Sequence, residues 1–156
     1  MLGFYGVLEA ITSRFPDILF ESCSGGGGRF DAGMLYYMPQ TWTSDDTDAI
    51  ARCHIQNGLS YGYPQSVMGA HVSNCPNHQT LRHTPLHTRF HMACFVLLGY
   101  ELDLCELSDE EKETTKELFS QLKTAAKSYG YSTSNGYLKA LYGKGASLSS
   151  YKAYYE

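Results

Sequence analysis

The sequence has few of the features that mark several large classes of protein. Its 12 Lys and Arg are scattered and outnumbered by 16 Asp and Glu, which gives a formal net charge of −4. A nucleic-acid-binding domain would instead concentrate positive charge on one face. The longest apolar run, residues 92–100, is about half as long as a helix that crosses a bilayer. We therefore expect neither nucleic acid nor a membrane among its partners.

Cysteine usage and the start of the chain give no sign of secretion. The five cysteines are an odd number, and they do not follow the spacing of a disulfide scaffold. Free thiols are typical of proteins in a reducing cytoplasm. The first residues, MLGFY, contain no basic region ahead of an apolar segment and a cleavage site, as a signal peptide would. The sequence therefore predicts a cytoplasmic protein.

Short apolar runs alternate with helical patterns along the chain. The strand candidates lie at residues 18–21, 35–38, 67–72 and 95–104. The helix candidates lie at residues 2–14, 50–59 and 108–127. The last helix is the best marked, because Ser108 and Glu111 match a capping box. The alternation of strands and helices predicts an α/β fold with a parallel sheet.

Two segments carry the candidate chemistry. FESCSGGGGRFD, residues 20–31, is an apolar run that leads into four glycines, which let a backbone lie close against a ligand. WTSD, residues 42–45, follows the second strand candidate and places an aromatic ring near a carboxylate. Strands that end in polar and aromatic residues are typical of the carboxyl-terminal face of a barrel enzyme. No Gly-Lys-Ser/Thr follows the glycines, which excludes a phosphate-binding P-loop.

These segments, with MGAHVS at residues 68–73 and PNHQT at residues 76–80, resemble the catalytic domain of bacterial α-galactosidases of glycoside hydrolase family 36. The resemblance runs almost without gaps from about residue 2 to about residue 107. It implies that residues 1–130 form the C-terminal half of a TIM (β/α)8 barrel with about four βα units. Residues 131–156 are expected to form an irregular tail or the start of a truncated C-terminal domain.

The resemblance also implies a reaction and its residues. We expect a retaining α-galactosidase that removes terminal α-galactosyl residues from oligosaccharides of the raffinose or melibiose type, without a cofactor or a metal. The family's acid/base is the aspartate of WTSD, which is Asp45 in this chain. Cys23, Gly25 and Trp42 match family positions that contact galactose. The full-length enzyme is expected to be a homo-oligomer.

Some of these residues have simpler interpretations. Asp45 and Asp46 precede a helix, where an aspartate is commonly the N-cap. A cysteine beside glycines, such as Cys23, is often a small buried residue that fills space. Arg29 and Asp31 also match the family, and we interpret them as an ion pair that shapes the glycine loop.

The histidines suggest a weaker alternative, a metal-binding protein. His71 and His78 match the family, and we predict that they are hydrogen-bonded loop residues. Three further histidines are spaced by four, as on one face of a helix: His83, His87 and His91. With Cys75 they could form a zinc site. Pro85 disfavours a helix through them, so we predict loop histidines in solvent.

The chain departs from the family pattern in two ways. A retaining glycosidase needs a second carboxylate as nucleophile. In the family this residue follows a Lys-Trp motif on an earlier strand, whereas the only tryptophan here is Trp42. Six positions also differ from the family: Cys53, His54, Leu81, His83, His87 and Phe90. We therefore expect a fragment that is inactive alone; the alternative is a non-catalytic remnant or a sugar-binding fragment.

Overall fold

The chain forms a four-stranded sheet with flanking helices, in a computed structural model that describes residues 2–23, 25, 28 and 30–128. The strands are β1 (Glu21–Ser22), β2 (Gln40–Trp42), β3 (Met68–Ser73) and β4 (Leu97–Glu101). The helices are α1 (Leu2–Arg14), α2 (Ala32–Tyr37), α3 (Ala49–Ser60), α4 (Leu86–Cys94) and α5 (Asp109–Ser128). A 3-10 turn, Gln65–Val67, leads into β3. The tail predicted at residues 131–156 lies outside the described residues.

The sheet is parallel throughout, which confirms the predicted α/β class. Its strand order is β1-β2-β3-β4, so strands that follow each other along the chain are also neighbours in the sheet. Trp42 on β2 lies opposite Gly69 on β3, and His71 on β3 lies opposite Gly99 on β4. Successive βα units produce this order when each helix crosses back over the same sheet.

The two faces of the sheet differ sharply in polarity, because side chains alternate along a strand. The outer face and the helices share the apolar core, whose buried members are Leu35, Val67, Met68, Ala70, Val72, Leu86, Phe90, Ala93, Val96 and Leu118. The other face, called the inner face below, carries Trp42, Gly69, His71 and Glu101. Helices α2 to α5 therefore cover one face of the sheet, whereas Trp42, His71 and Glu101 lie on the other.

Side-chain caps decide where the helices begin. Asp31 Oδ1 accepts a hydrogen bond from the Met34 amide at 2.9 Å and starts α2. The Tyr5 hydroxyl donates to the same oxygen at 2.8 Å, and this bond and the Met34 amide hold the pKa of Asp31 below its usual range. At α5 the predicted capping box is confirmed, since Ser108 and Glu111 exchange side-chain to backbone hydrogen bonds at 3.0 and 3.1 Å.

Two of the predicted strands are placed wrongly. The run at residues 35–38 is the end of α2 instead of a strand, and the strand follows as β2. Strand-forming residues occur in that run, but the Asp31 cap fixes a helical turn that the pattern alone does not reveal. The strand predicted at residues 18–21 is β1, Glu21–Ser22, while Ile18 and Leu19 precede it and are each 50% exposed.

The prediction of loop histidines is also wrong for two of them. His87 and His91 lie on α4, which begins immediately after Pro85. A proline at the start of a helix costs no hydrogen bond, because the first amides of a helix have no partner within it. The strands predicted at residues 67–72 and 95–104 are confirmed as β3 and β4, and the helix at residues 50–59 is confirmed as α3. Within the described residues, no helix is both long and apolar enough to span a bilayer.

Candidate active site

The candidate chemistry lies along one edge of the sheet. Because all strands are parallel, their carboxyl ends meet at the same edge. Trp42 ends β2 and is followed by residues 43–48, called the acid loop below. Ser73 ends β3 and is followed by residues 74–85, called the β3–α4 loop. Cys23 directly follows β1, so three successive strands bring the predicted site residues to this edge.

Asp45 presents an exposed carboxylate at this edge. The N-cap of α3 is Asp48, whose Oδ1 accepts from the amides of Ile50 at 2.7 Å and Ala51 at 3.2 Å. The interpretation of Asp45 or Asp46 as the helix cap is therefore wrong. Asp46 instead accepts from the Asp48 amide at 2.9 Å. The Asp45 carboxylate makes no hydrogen bond to any residue that the structure describes, which leaves it available to a ligand.

Arg52 forms hydrogen bonds with the first half of the acid loop. Its side chain extends from α3, is almost completely buried, and donates to Thr43 Oγ1 at 2.7 Å and to the Ser44 carbonyl at 2.9 Å. Its guanidinium carbon lies 4.2 Å from the centre of the Trp42 ring, in a cation–π contact. Burial lowers the pKa of Arg52 despite the opposing effect of nearby carboxylates, Asp46 before Glu101 and Asp45.

The β3–α4 loop holds the second half of the acid loop. The side-chain amide of Gln79 donates to the Asp45 carbonyl at 2.8 Å and accepts from the Thr47 amide at 2.9 Å. Asn77 donates to the Thr47 hydroxyl at 2.9 Å, and Ser73 donates to the Thr47 carbonyl at 3.0 Å. The backbone around Asp45 is thus fixed by two neighbouring elements, although the Asp45 side chain is exposed.

Trp42 lies at the centre of the inner face and is only 8% exposed. The imidazole of His71 lies 4.4 Å from the Trp42 ring, centre to centre, at an angle of 30°. With Arg52 also against the ring, most of the indole is already in contact with protein. Trp42 therefore lies beside the acid loop as predicted. Most of its ring is covered by protein, which leaves little of the indole surface open for a sugar to stack on. Its contact with galactose stays a prediction.

Cys23 and Gly25 begin the glycine loop at the end of β1. Cys23 is exposed, so the interpretation of this residue as a buried filler is wrong, and all five cysteines of the chain are free. Gly25 has a φ of +66°, a conformation that favours glycine. Arg29 lies outside the described residues, and with it the predicted Arg29–Asp31 ion pair.

Several polar residues of the inner face were not predicted from the sequence. Gln40 donates through its side-chain amide to the Glu21 carboxylate, and both follow from the pairing of β1 with β2. Glu101 lies 3.3 Å from His71 Nδ1. His71 is thus hydrogen-bonded as predicted, but it lies within β3 instead of a loop, whereas His78 is exposed in the β3–α4 loop. Alternating polarity along β3 was the available signal for the inner face.

The histidines spaced by four do not share one helix. His83 precedes α4, and its Nδ1 lies 3.8 Å from the Cys75 thiol. His87 and His91 lie on α4 with ring centres 6.4 Å apart. Across the part of the chain that the structure describes, no group of three His, Cys, Asp or Glu side chains is arranged to hold a metal ion.

Comparisons with known proteins agree on one family. The melibiase family model matches residues 1–130. The α-galactosidase AgaA of Geobacillus stearothermophilus is 63% identical over 117 residues, covering 75% of this chain and 16% of that protein. The bifunctional α-galactosidase/sucrose kinase AgaSK of Mediterraneibacter gnavus is 58% identical over 127 residues, covering 81% of this chain and 13% of that protein.

Solved structures give the same result. A crystal structure of the family 36 α-galactosidase AgaA in complex with raffinose superposes with a TM-score of 0.74 at 62% identity, covering 76% of this chain and 16% of that one. The α-galactosidase of Lactobacillus brevis gives a TM-score of 0.76 at 53% identity, covering 79% and 17%. The chain therefore spans less than a fifth of the length of these relatives.

Proposed function

The chain belongs to the melibiase family, and on that basis we propose that it forms part of the catalytic domain of a retaining α-galactosidase. The observation that carries the proposal is the exposed carboxylate of Asp45 on a loop whose backbone is fixed from two sides. A catalytic acid needs this combination, because it must reach the substrate and keep one position. The parallel sheet supplies four consecutive strands of the proposed (β/α)8 barrel.

In the proposed reaction Asp45 serves as the general acid and then as the general base. A carboxylate from another part of the longer enzyme attacks the anomeric carbon while the bond to the leaving oxygen breaks. Asp45 gives its proton to that oxygen, so the leaving group departs as an alcohol. Asp45 then takes a proton from water, which attacks the glycosyl-enzyme and releases galactose with the original anomeric configuration.

The proposed substrates are oligosaccharides with a terminal α-galactosyl residue, of the raffinose or melibiose type. The names of the related structures support this class, since doubly substituted variants of AgaA were crystallised with raffinose and with stachyose. Cys23, Gly25 and Trp42 are proposed to contact the galactosyl ring from the ends of β1 and β2. We further propose that the enzyme needs no cofactor, works in the cytoplasm and is a homo-oligomer at full length.

The test uses a chimaera of AgaA, in which the segment that aligns with this chain is replaced by this chain's own residues. We expect the chimaera to hydrolyse raffinose, and we expect Asp45→Asn to reduce kcat/KM by about a thousandfold or more. Asp46→Asn is the matched control, because it makes the same chemical change one residue away and keeps the oxygen that accepts from the Asp48 amide. The control should retain most of the activity.

Two results would contradict the proposal. One is a folded chimaera that does not hydrolyse raffinose, which would favour a sugar-binding fragment or a remnant. The other is equal activity of the Asp45→Asn and Asp46→Asn chimaeras. The 156-residue chain alone should not turn over a nitrophenyl α-galactoside, since one member of a catalytic pair is insufficient.

A further inference from the structure

Gln79 makes an unusual pair of contacts with the acid loop. Its side-chain nitrogen donates to the carbonyl of Asp45 at 2.8 Å, and its side-chain oxygen accepts from the amide of Thr47 at 2.9 Å. These two groups belong to the successive peptide bonds on either side of Asp46. One amide side chain therefore fixes both peptides that follow the Asp45 side chain. If the side-chain amide were flipped, its nitrogen would face the Thr47 N–H and its oxygen would face the Asp45 carbonyl oxygen. Donor would then meet donor and acceptor would meet acceptor, so the contacts determine the orientation of the amide.

Gln79 is itself held in place from the other side. Its backbone amide donates to Asn77 Oδ1 at 2.9 Å, and the Thr80 amide donates to the same oxygen at 3.0 Å. Asn77 is buried, and its backbone pairs with Leu81 at 2.8 Å, where a φ of 58° tightens the turn. The side chain of Gln79 is exposed. Its substitution therefore removes these two hydrogen bonds, and a longer one that the Thr47 hydroxyl donates to the Gln79 side-chain oxygen at 3.5 Å, without opening a cavity in the core.

We propose that Gln79 is a positioning residue for the acid/base: it holds the Asp45 backbone so that the carboxylate stays in line with the leaving oxygen. This inference rests on the proposed role of Asp45. Proton transfer requires a donor within hydrogen-bond reach, and a displacement of about 1 Å can reduce a rate a hundredfold. Arg52 anchors the residues before Asp45 and Gln79 anchors those after it. Asp45 is the one exposed residue of the acid loop, between these two anchors.

The experiment compares Gln79→Met and Gln79→Glu in the AgaA chimaera. Methionine keeps the length of the side chain but makes none of its hydrogen bonds to Asp45 and Thr47, so kcat/KM for raffinose should fall about ten- to a hundredfold. The loss on an activated dinitrophenyl galactoside should be small, because a good leaving group needs little protonation. Gln121→Met, on the exposed side of α5, is the matched control and should leave both rates unchanged.

Gln79→Glu adds a readout that a purely structural role would not change. A glutamate can still accept from Thr47, but it repels the Asp45 carbonyl and brings a negative charge towards the Asp45 carboxyl. A like charge raises the pKa of a carboxylic acid, so the alkaline limb of the pH profile should move to higher pH. An unchanged alkaline limb, or equal losses on raffinose and on the dinitrophenyl substrate, would overturn the proposal.

Hydrogen exchange separates this proposal from the proposed function. In the Gln79→Met chimaera, the Thr47 amide should exchange faster than in the unmutated chimaera, whereas Gln121→Met should have no effect. If the unmutated chimaera is inactive, the proposed function fails. The positioning role of Gln79 is then tested only by hydrogen exchange at the Thr47 amide. Unchanged protection of the Thr47 amide would then overturn the positioning role.

Discussion

At the scale of single residues, glycine at position 99 makes room for His71 on the inner face. A Cβ atom built on Gly99 would lie 2.7 Å from His71 Nε2 and closer still to Cδ2. No real side chain tolerates such a distance, so the imidazole occupies the space of the missing side chain. There the Nδ1 atom of His71 lies 3.3 Å from Glu101 Oε2, and the centre of the imidazole lies 4.4 Å from the centre of the Trp42 ring. The rigid position of Trp42 beside the acid loop therefore depends on Gly99.

Gly99→Ala should displace His71 and lower the free energy of unfolding by about 1–3 kcal/mol, the usual cost of overpacking. Trp42 is the only tryptophan of the chain, so its fluorescence reports the change directly, with denaturant unfolding at one fixed protein concentration. Gly58→Ala is the control. Position 58 lies in α3 with open space around it, and alanine there should stabilise by about 0.5–1 kcal/mol. Equal stability of Gly99→Ala and the unmutated chain would refute the packing argument.

At the scale of elements, Asp48 joins the start of α3 to the β3–α4 loop. Its buried carboxylate caps α3, accepts from the Thr80 hydroxyl, and pairs with Arg82 at 2.7 Å. Burial raises the pKa of Asp48, but the hydrogen bonds from Thr80 and the α3 amides, together with the charge of Arg82, lower this pKa by more than burial raises it. The net result is a pKa below the usual range.

Asp48→Ala should lower the free energy of unfolding by about 2–4 kcal/mol at neutral pH, through the loss of a cap and of the ion pair between the buried Asp48 carboxylate and the half-exposed Arg82. A group whose pKa is lower in the folded state stabilises above its unfolded pKa of about 4, and this contribution disappears as the pH falls through the folded value. The difference from the unmutated chain should therefore shrink in acid. Asp109→Ala, a fully exposed position at the start of α5, is the control. A loss that is the same at pH 3 and pH 7 would contradict this assignment.

The elements that could be predicted from the sequence are those with strong local signals. The α5 helix has a capping box and an acidic first turn, and β3 has a buried apolar alternation. The α2 helix was missed because its start depends on one aspartate, Asp31, ahead of residues that also suit a strand. The α4 helix was missed because Pro85 was interpreted as a breaker, although it lies at the start, where proline is tolerated.

The candidate site was predictable only in part, and the reason is sequence distance. Asp45 follows from a four-residue motif that carries the family resemblance. Its support from Gln79 connects residues 34 positions apart in two irregular loops, for which no periodicity exists. The same holds for Arg52, whose buried position beneath Trp42 depends on how α3 packs against β2. The motif identifies the proposed reacting group, whereas the tertiary fold identifies the residues that hold its loop.

At the scale of the whole molecule, the described sheet is open at both ends. Strands β1 and β4 each have one described neighbour, and an unpaired edge favours pairing with another chain. Large apolar side chains are also exposed near the start of the chain, including Phe15, Ile18 and Leu19. In a closed barrel, further strands and helices would cover such surfaces.

We therefore expect the 156-residue chain alone to self-associate, with a pseudo-complete barrel of two copies as the soluble form. Light scattering measures the mass of the particles in solution and so gives the number of copies in each. Replacing Ile18 and Leu19 together by serine should weaken the association, because each is half exposed beside an open edge. Tyr61→Ser, at an exposed position after α3, is the control and should leave the association unchanged. A monodisperse monomer with a sharp cooperative thermal transition would contradict the expectation.

The central claim is that Asp45 is the acid/base, and chemical rescue tests it most directly. In the Asp45→Ala chimaera, turnover of raffinose should be lost far more than turnover of a dinitrophenyl galactoside, since only the poor leaving group needs a proton. Azide should then restore turnover of the activated substrate by attacking the glycosyl-enzyme from the side that Asp45 vacates. The account predicts that the product is α-galactosyl azide, with the anomeric configuration of the substrate. Equal losses on both substrates, without an azide product, would show that Asp45 does not transfer the proton.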